Sequence, residues 1–309
     1  MLPRHEEAIS ASLESLIKDK YRVYKLSVAT DKKTARATSG NYRSVFKGRG
    51  MDFDEVREYK EGDDVRLVDW RVTARQGKTF TKVFREEKER HVCFMLDLRS
   101  GMRFGTKQAF KSVIAAHITA LLAWSFEEKG DKIGGLLLSD KAMQSFRPSR
   151  LQRSLMRFLN EISLKTKEKH DLKPIEEDIS LQAACWKLRH FCKSGNIVFF
   201  ISDFADLTED TLKCFASFAK SNEIILINVY DELEGTCPPP NVYSVTNGDE
   251  TLSLNMRSPL VRQTYVNYFQ QRYNTLKEFA TRYGIHYIPV STGMNYIDVV
   301  ANALRRKSK

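Results

Sequence analysis

Five cysteines in 309 residues, with no Cys-x-x-Cys pair and no Cys/His spacing that suits a zinc site, leave no thiolate metal centre to expect. Cys93 falls inside an apolar run, and Cys185 and Cys192 stand seven apart on a helical pattern, so buried reduced thiols are expected, with no disulfide framework. No apolar run approaches the roughly 18 residues that a membrane-crossing helix needs. The longest, 113–124, is shorter and contains His117. The N-terminus, MLPRHEEAIS, lacks a hydrophobic signal core, so a soluble, cytoplasmic chain without a membrane span is expected. The glycines form neither G-x-G-x-x-G after a strand nor G-x-x-x-x-G-K-[ST], which removes support for nucleotide phosphate binding. Six histidines are scattered, and none is paired at short spacing with Ser, Cys or Glu in a catalytic motif. The expectation is a protein that is not an enzyme, with His117 a satisfied core histidine.

Positive charge is plentiful: the formal net charge is +11 and the pI about 9.3. Such a balance raises anionic partners without saying anything of fold. Residues 32–49 form a basic loop in which Arg43, Lys47 and Arg49 stand beside Tyr42 and Phe46, and the chain ends in a second basic run from Arg305. A loop of that kind can grip phosphates and stack bases, so nucleic-acid binding through 32–49 is an alternative function.

Residues 5–19 place Ile9, Leu13, Leu16 and Ile17 on one helical face and predict an amphipathic lead-in helix. From 51 to 89 short segments such as VRLVDW and TFTKVFRE nearly alternate apolar and polar residues between turns, which reads as a small β-rich subdomain. Its charges interleave in sign, as internal ion pairs do more than a nucleic-acid stripe does. Beyond 91, strands alternate with helices: strands at 91–97, 132–138, 142–146, 196–202, 223–230 and 285–290, helices at 107–128, 150–162, 179–192, 208–221, 259–283 and 295–306, and a hairpin over 242–254. That alternation predicts an α/β fold with a doubly wound, mostly parallel sheet over 91–309, preceded by a 1–90 region holding the helix, the basic loop and the β-rich segment.

Two stretches organise the larger domain. In HVCFMLDLRSGMRFGT a continuous apolar run stops at Asp97, and in NIVFFISDF another stops at Asp203. Open α/β sheets keep ligands beyond the carboxyl ends of their strands. If these strands are neighbours, their spacing of roughly 4.8 Å brings the two carboxylates close enough to share a cation. The plainer alternative is that each Asp caps the helix that follows.

The run GNYRSVFKGRGMDFDEVREYKEGDDVRLVDWRVTARQGKTFTKVFREE, followed by LDLRSGM, resembles the family catalogued as domain of unknown function 58, over about residues 40–230. GRGMDF, REYKEGDDVR, DW and TAR occur together and in order. The resemblance implies a von Willebrand factor A-like domain with a family-specific segment. It also implies a gene neighbourhood with MoxR-type AAA+ ATPases, which such proteins are thought to serve as chaperone-like or assembly partners. Domains of that type often hold Mg²⁺ through a DxSxS motif, a Thr and a further Asp. Here Asp97 matches the first acid and Asp203 the last, but Arg99 and Gly101, on either side of Ser100, stand where the serines belong, and Ser180 is the best candidate for the Thr. A degenerate, weak or metal-free site is therefore expected, with the Arg99 guanidinium pairing with Asp97 or Asp203. The alternative is that Arg99 points to solvent. Within the family segment, Arg57, Gly62, Asp63, Asp64, Arg66, Asp69, Trp70 and Arg75 are the candidate functional or ordering residues, and Trp70 has a second reading as a plug between subdomain and sheet.

Overall fold

The computed structural model describes residues 5–24, 26, 51–86, 91–168, 179–192, 194–246 and 251–306; the basic loop 32–49 and the terminal 307–309 lie outside them. The chain divides into two compact units, residues 33–89 and a body made of 1–32 and 90–309. Among the described residues, no helix is long and apolar enough to cross a membrane.

The chain begins with α1 (His5–Ile9) and α2 (Leu13–Lys18). The smaller unit holds β1 (Met51–Glu58), α3 (Trp70–Gln76) and β2 (Phe80–Glu86). The body continues with β3 (His91–Asp97), α4 (Lys111–Glu127), β4 (Lys132–Leu138), β5 (Met143–Ser149), α5 (Gln152–Lys167), α6 (Leu181–Arg189) and β6 (Ile197–Ser202). It closes with α7 (Glu209–Ala219), β7 (Glu223–Tyr230), α8 (Glu232–Gly235), β8 (Val242–Thr246), β9 (Thr251–Asn255), α9 (Pro259–Tyr283), β10 (His286–Ser291) and α10 (Tyr296–Arg306).

Six strands form the body's sheet in the order β10-β7-β6-β3-β4-β5. All neighbours run parallel except β4 and β5, which are antiparallel. Counted in chain order within this sheet, this is the 3-2-1-4-5-6 sequence of doubly wound folds, and its direction reverses between β3 and β6. A parallel strand covered on both faces must be apolar throughout, which is why VCFML is unbroken. Val92, Phe94 and Leu96 face a layer built with α4, α5 and α10, while Cys93 and Met95 face the layer of α6, α7 and α9. Phe94 of β3 stacks on Phe199 of β6 with centroids 5.1 Å apart. Each such ring contributes about 1.5–3 kcal/mol by leaving water.

The expected lead-in helix over 5–19 is two helices. Ser12 accepts from Ser15 N at 3.1 Å and so caps a new start for α2. The arm also belongs to the body rather than to a 1–90 region. Leu16 is buried in the sheet's core layer, Trp124 Nε1 donates to Leu16 O at 3.0 Å, and Ala11 N donates to Thr166 Oγ1 at 3.1 Å. His117 Nδ1 lies 2.6 Å from Asp19 Oδ2, so that histidine is satisfied.

In the smaller unit, β1 and β2 pair antiparallel, but the VRLVDW stretch is not a strand. Val65–Leu67 is a 3₁₀ turn, and helix α3 starts at Trp70 because Asp69 accepts from Arg71 N and Val72 N. The helix stops at Gly77, whose φ of 68° is left-handed. Cap and stop together override the local alternation. A Cβ at Gly77 would meet nothing within 4 Å, so Gly77→Ala tests backbone strain alone. It is expected to cost about 1 kcal/mol and to speed hydrogen exchange across α3 about fivefold.

The cysteine expectation is corrected on one point. Cys185 of α6 and Cys214 of α7, neighbours in one core layer with Cα atoms 6.6 Å apart, are joined as a disulfide. Cys93 and Cys192 are buried and free.

Candidate functional site

The carboxyl ends of β3 and β6 meet where the sheet order reverses, and both acids sit there buried. Asp97, at the end of β3, is 1% exposed. Two residues on, Arg99 folds back over it: Arg99 N donates to Asp97 Oδ1 at 3.1 Å, Nε to Oδ1 at 3.0 Å and Nη2 to Oδ2 at 2.7 Å. The other edge of the guanidinium grips Asp206, Nη1 to Oδ2 at 2.7 Å and Nη2 to Oδ1 at 2.8 Å, and Nη1 also reaches Ile179 O at 3.4 Å. All five N–H donors of the side chain are thereby used. Ser202 Oγ donates to Asp97 Oδ2 at 2.7 Å, so each oxygen of Asp97 accepts two hydrogen bonds. Burial pushes the Asp97 carboxyl up, opposed by Arg99 and Ser202. Burial also works against the Arg99 charge, but the bonds to Asp206 and Asp97 outweigh it and hold the guanidinium above its ordinary value.

Asp203, one residue past β6, has its own cation. Lys111, the first residue of α4 and 1% exposed, donates from Nζ to Asp203 Oδ2 at 2.7 Å and to Glu234 Oε1 at 2.7 Å. Ala205 N donates to Asp203 Oδ1 at 3.1 Å. Burial would raise Asp203 and lower Lys111, and the pairing outweighs it in both: the carboxyl is held low and the ammonium high. Glu234 Oε2 accepts from Asp231 N at 2.9 Å in the capping box of α8. Asp231 in turn accepts from Thr106 Oγ1 at 2.6 Å, Thr106 N at 2.9 Å and Thr292 Oγ1 at 2.5 Å, drawing the loops after β3 and β10 to the end of β7. This anchoring explains why α4 starts at 111 rather than at 107: the preceding loop is pinned by Thr106 and by Lys111 N donating to Phe104 O at 2.8 Å. Phe204 holds a φ of 52°, a strained conformation for a bulky residue, with its ring fully buried.

Of the expected metal-type positions, the structure brings Asp97, Arg99 and Asp203 together, with Arg99 on Asp97 and Asp206 rather than on Asp203. Ser100 turns aside, its N and Oγ on Asp140 at 3.0 and 3.1 Å. A Cβ at Gly101 would lie 3.6 Å from Asp203 Oδ2, so a serine there would reach the acid and the glycine does not. Ser180 spends its oxygen on Ala183 N at the start of α6. The oxygens that a hard cation would need are thus held by Arg99, Lys111, Ser202 and backbone N–H groups, and this donor set does not fit Mg²⁺. Among the described residues no group of three or more His, Cys, Asp or Glu could hold a metal ion.

In the family segment, Arg57 Nη2 pairs with Asp63 Oδ1 at 2.7 Å, Lys60 N donates to Asp63 Oδ2 at 2.9 Å, and Gly62 supplies the left-handed turn between them with a φ of 101°. Asp64 accepts from Arg66 N at 2.9 Å, and Asp69 caps α3. These are ordering roles. Arg66, Trp70 and Arg75 are exposed.

Sequence reasoning missed Lys111, Asp206, Asp231 and Glu234. One signal was present for the first: a lysine opening the otherwise apolar KSVIAAHITALLAW is costly to bury unless paired.

A family model described as protein of unknown function DUF58 matches residues 55–274. The chain belongs to this family. The DUF58 match takes in Asp97, Arg99, Lys111, Asp203 and Glu234, and it extends into α9, beyond the 40–230 stretch that the sequence pieces suggested. The uncharacterized proteins Rv1480 of Mycobacterium tuberculosis (strain H37Rv) and Mb1516 of Mycobacterium bovis are each 27% identical over 118 residues, covering 38% of this DUF58 chain and 37% of their own length. Solved structures with some similarity include the conserved hypothetical protein BatB of Bacteroides thetaiotaomicron, with 12% identity, coverage of 70% and 98% of the two chains and a TM-score of 0.41. Another is the PilB minor pilin of Streptococcus sanguinis, with 10% identity, coverage of 75% and 64% and a TM-score of 0.32.

Proposed function

We propose that this DUF58 protein is a non-enzymatic interaction module, an adaptor or chaperone-like partner of a MoxR-type AAA+ ATPase in protein-complex assembly. In this reading its sheet is of the von Willebrand factor A type, with the metal-ion site converted to a metal-free one. The observation that carries the reading is the pair of side-chain cations, Arg99 on Asp97 and Lys111 on Asp203, at the switch point of the sheet. A buried carboxylate with every lone pair engaged and a fixed guanidinium beside it has no free base or nucleophile to offer, whereas it gives the crevice a fixed shape and charge. That suits recognition rather than turnover.

Two measurements test the reading. Calorimetric titration with MgCl₂ is expected to give no saturable heat at submillimolar concentration; a saturable isotherm abolished by Asp97→Ala would overturn the metal-free site. A nuclease-treated pull-down from lysate of the source cell, read by mass spectrometry, is expected to enrich an AAA+ ATPase with the wild type and less of it with Asp97→Ala/Asp203→Ala. Recovery of nucleic acid instead, when nuclease is omitted, with release by salt, would favour the basic loop 32–49.

A further inference from the structure

Away from the buried acids, the body carries an apolar groove of about 510 Å³ between α9 and the end of the β8–β9 hairpin. Its floor is buried, formed by Met256 and Phe269. Along its wall run Leu260, Thr264, Tyr268 and Arg272, each four residues after the last and therefore on one face of α9. Leu260 is 76% exposed and Tyr268 63%, a costly display for a leucine and a tyrosine that no described residue covers. The stripe is about 18 Å long at the rise of an α-helix.

Charge gives the groove a direction. The Arg272 guanidinium lies over Tyr268 and Phe269, 5.7 and 5.8 Å from the two ring centroids, and among the described residues no carboxylate pairs with it. The acid at the rim, Glu234, shares Lys111 with Asp203, on which Arg272 acts only through space. An incoming chain therefore meets apolar surface leading to one cation that has no carboxylate in direct contact among the described residues and is held in place by two aromatic faces.

We propose that this groove binds an internal segment of a partner protein that lays apolar side chains along Leu260 and Tyr268 and sets an Asp or Glu side chain on Arg272. The inference rests on the partner-binding reading above, and it assigns the contact to residues outside the Arg99 crevice.

The test pans a random twelve-residue peptide display library on the intact chain. The most enriched sequence is then synthesised with a fluorescent label, and its affinity is measured by anisotropy. Enriched peptides are expected to combine at least two aliphatic or aromatic residues with one acid. Arg272→Glu and Leu260→Ser, both at surface positions, are each expected to weaken binding at least about tenfold. A peptide whose acid is changed to lysine is expected to bind Arg272→Glu better than the parent does. Arg153→Ala, exposed on α5 in the other layer of the body, is expected to leave the affinity within about twofold, a margin of under 0.5 kcal/mol. Enrichment without acids, no enrichment, unchanged binding to Arg272→Glu, or loss there without recovery by the lysine peptide would each overturn the groove assignment. Groove binding intact with no AAA+ ATPase in the pull-down would instead overturn the ATPase partnership alone.

Discussion

Lys111→Met is expected to destabilise the α/β body by about 3–5 kcal/mol, the range for leaving one member of a buried ion pair without its partner. Methionine keeps the length and apolar stem of the lysine, so the loss reports charge rather than a cavity. Asp203 would stay buried with Ala205 N as its one hydrogen-bond donor among the described residues and Arg272 acting through space, while Glu234 is partly exposed and can hydrate. Urea titration should therefore show a lower midpoint with an unchanged slope. Lys111→Met/Asp203→Asn should recover a large part of the loss, because the stranded charge has gone. A single variant within about 1 kcal/mol of wild type would mean that water reaches the ammonium and that the pair is not a structural core.

The pH dependence gives the same experiment a second readout. In the wild type Asp203, Asp206 and Asp231 are all held below the ordinary aspartate value, each against the pull of burial. Their stabilisation is present above about 3.9 and is lost as pH falls through the lower folded values. In Lys111→Met both contributions of the lysine have gone, and burial is expected to outweigh what Ala205 N and Arg272 still supply, so the Asp203 carboxyl rises above the unfolded value. The sign then reverses for Asp203: as pH is lowered from 7 towards 5 the variant should gain more stability than the wild type, in which the raised Asp97 already acts in that direction.

The second large effect is expected at Arg99. Arg99→Ala removes five side-chain hydrogen bonds that tie Asp97, Asp206 and the Ile179 carbonyl together, at a cost of about 3–4 kcal/mol. Asp97, already pushed up by burial, keeps only Arg99 N and Ser202 as donors. Acidification should accordingly rescue this variant too. Arg99→Lys should recover less than half of the loss, since an ammonium cannot present a planar fork to two carboxylates at once. Full recovery by lysine would show that the site needs a charge and not a guanidinium.

Why the sheet was legible and the site was not follows from which interactions are local. VCFML and IVFFIS are continuous apolar runs because both faces of β3 and β6 are covered, and a covered strand leaves that mark in the sequence whatever its neighbours are. Arg99 lies two residues from Asp97, so a pairing between them could be entertained from the sequence. Lys111 is 92 residues from Asp203 in the chain, and only the adjacency of β3 and β6 brings them together. Asp206 and Glu234 were hidden for the same reason. The two misread segments failed through end chemistry: Ser12 splits a run that has helical periodicity, and Asp69 with Gly77 imposes a helix on a run that alternates.

The N-terminal arm has a bearing on how the chain is made. The described part of the smaller unit, 51–86, pairs its strands locally and can close as soon as it is synthesised, yet α2 comes before it in sequence and waits for distant partners. The bond from Trp124 to Leu16 spans 108 residues and that between Ala11 and Thr166 spans 155. At ribosomal rates, the first delay is on the order of 5–20 s, during which Leu13, Leu16 and Ile17 have nothing to cover them. A nascent chain arrested before Trp124 would carry that apolar face uncovered, ready for a chaperone or for another chain.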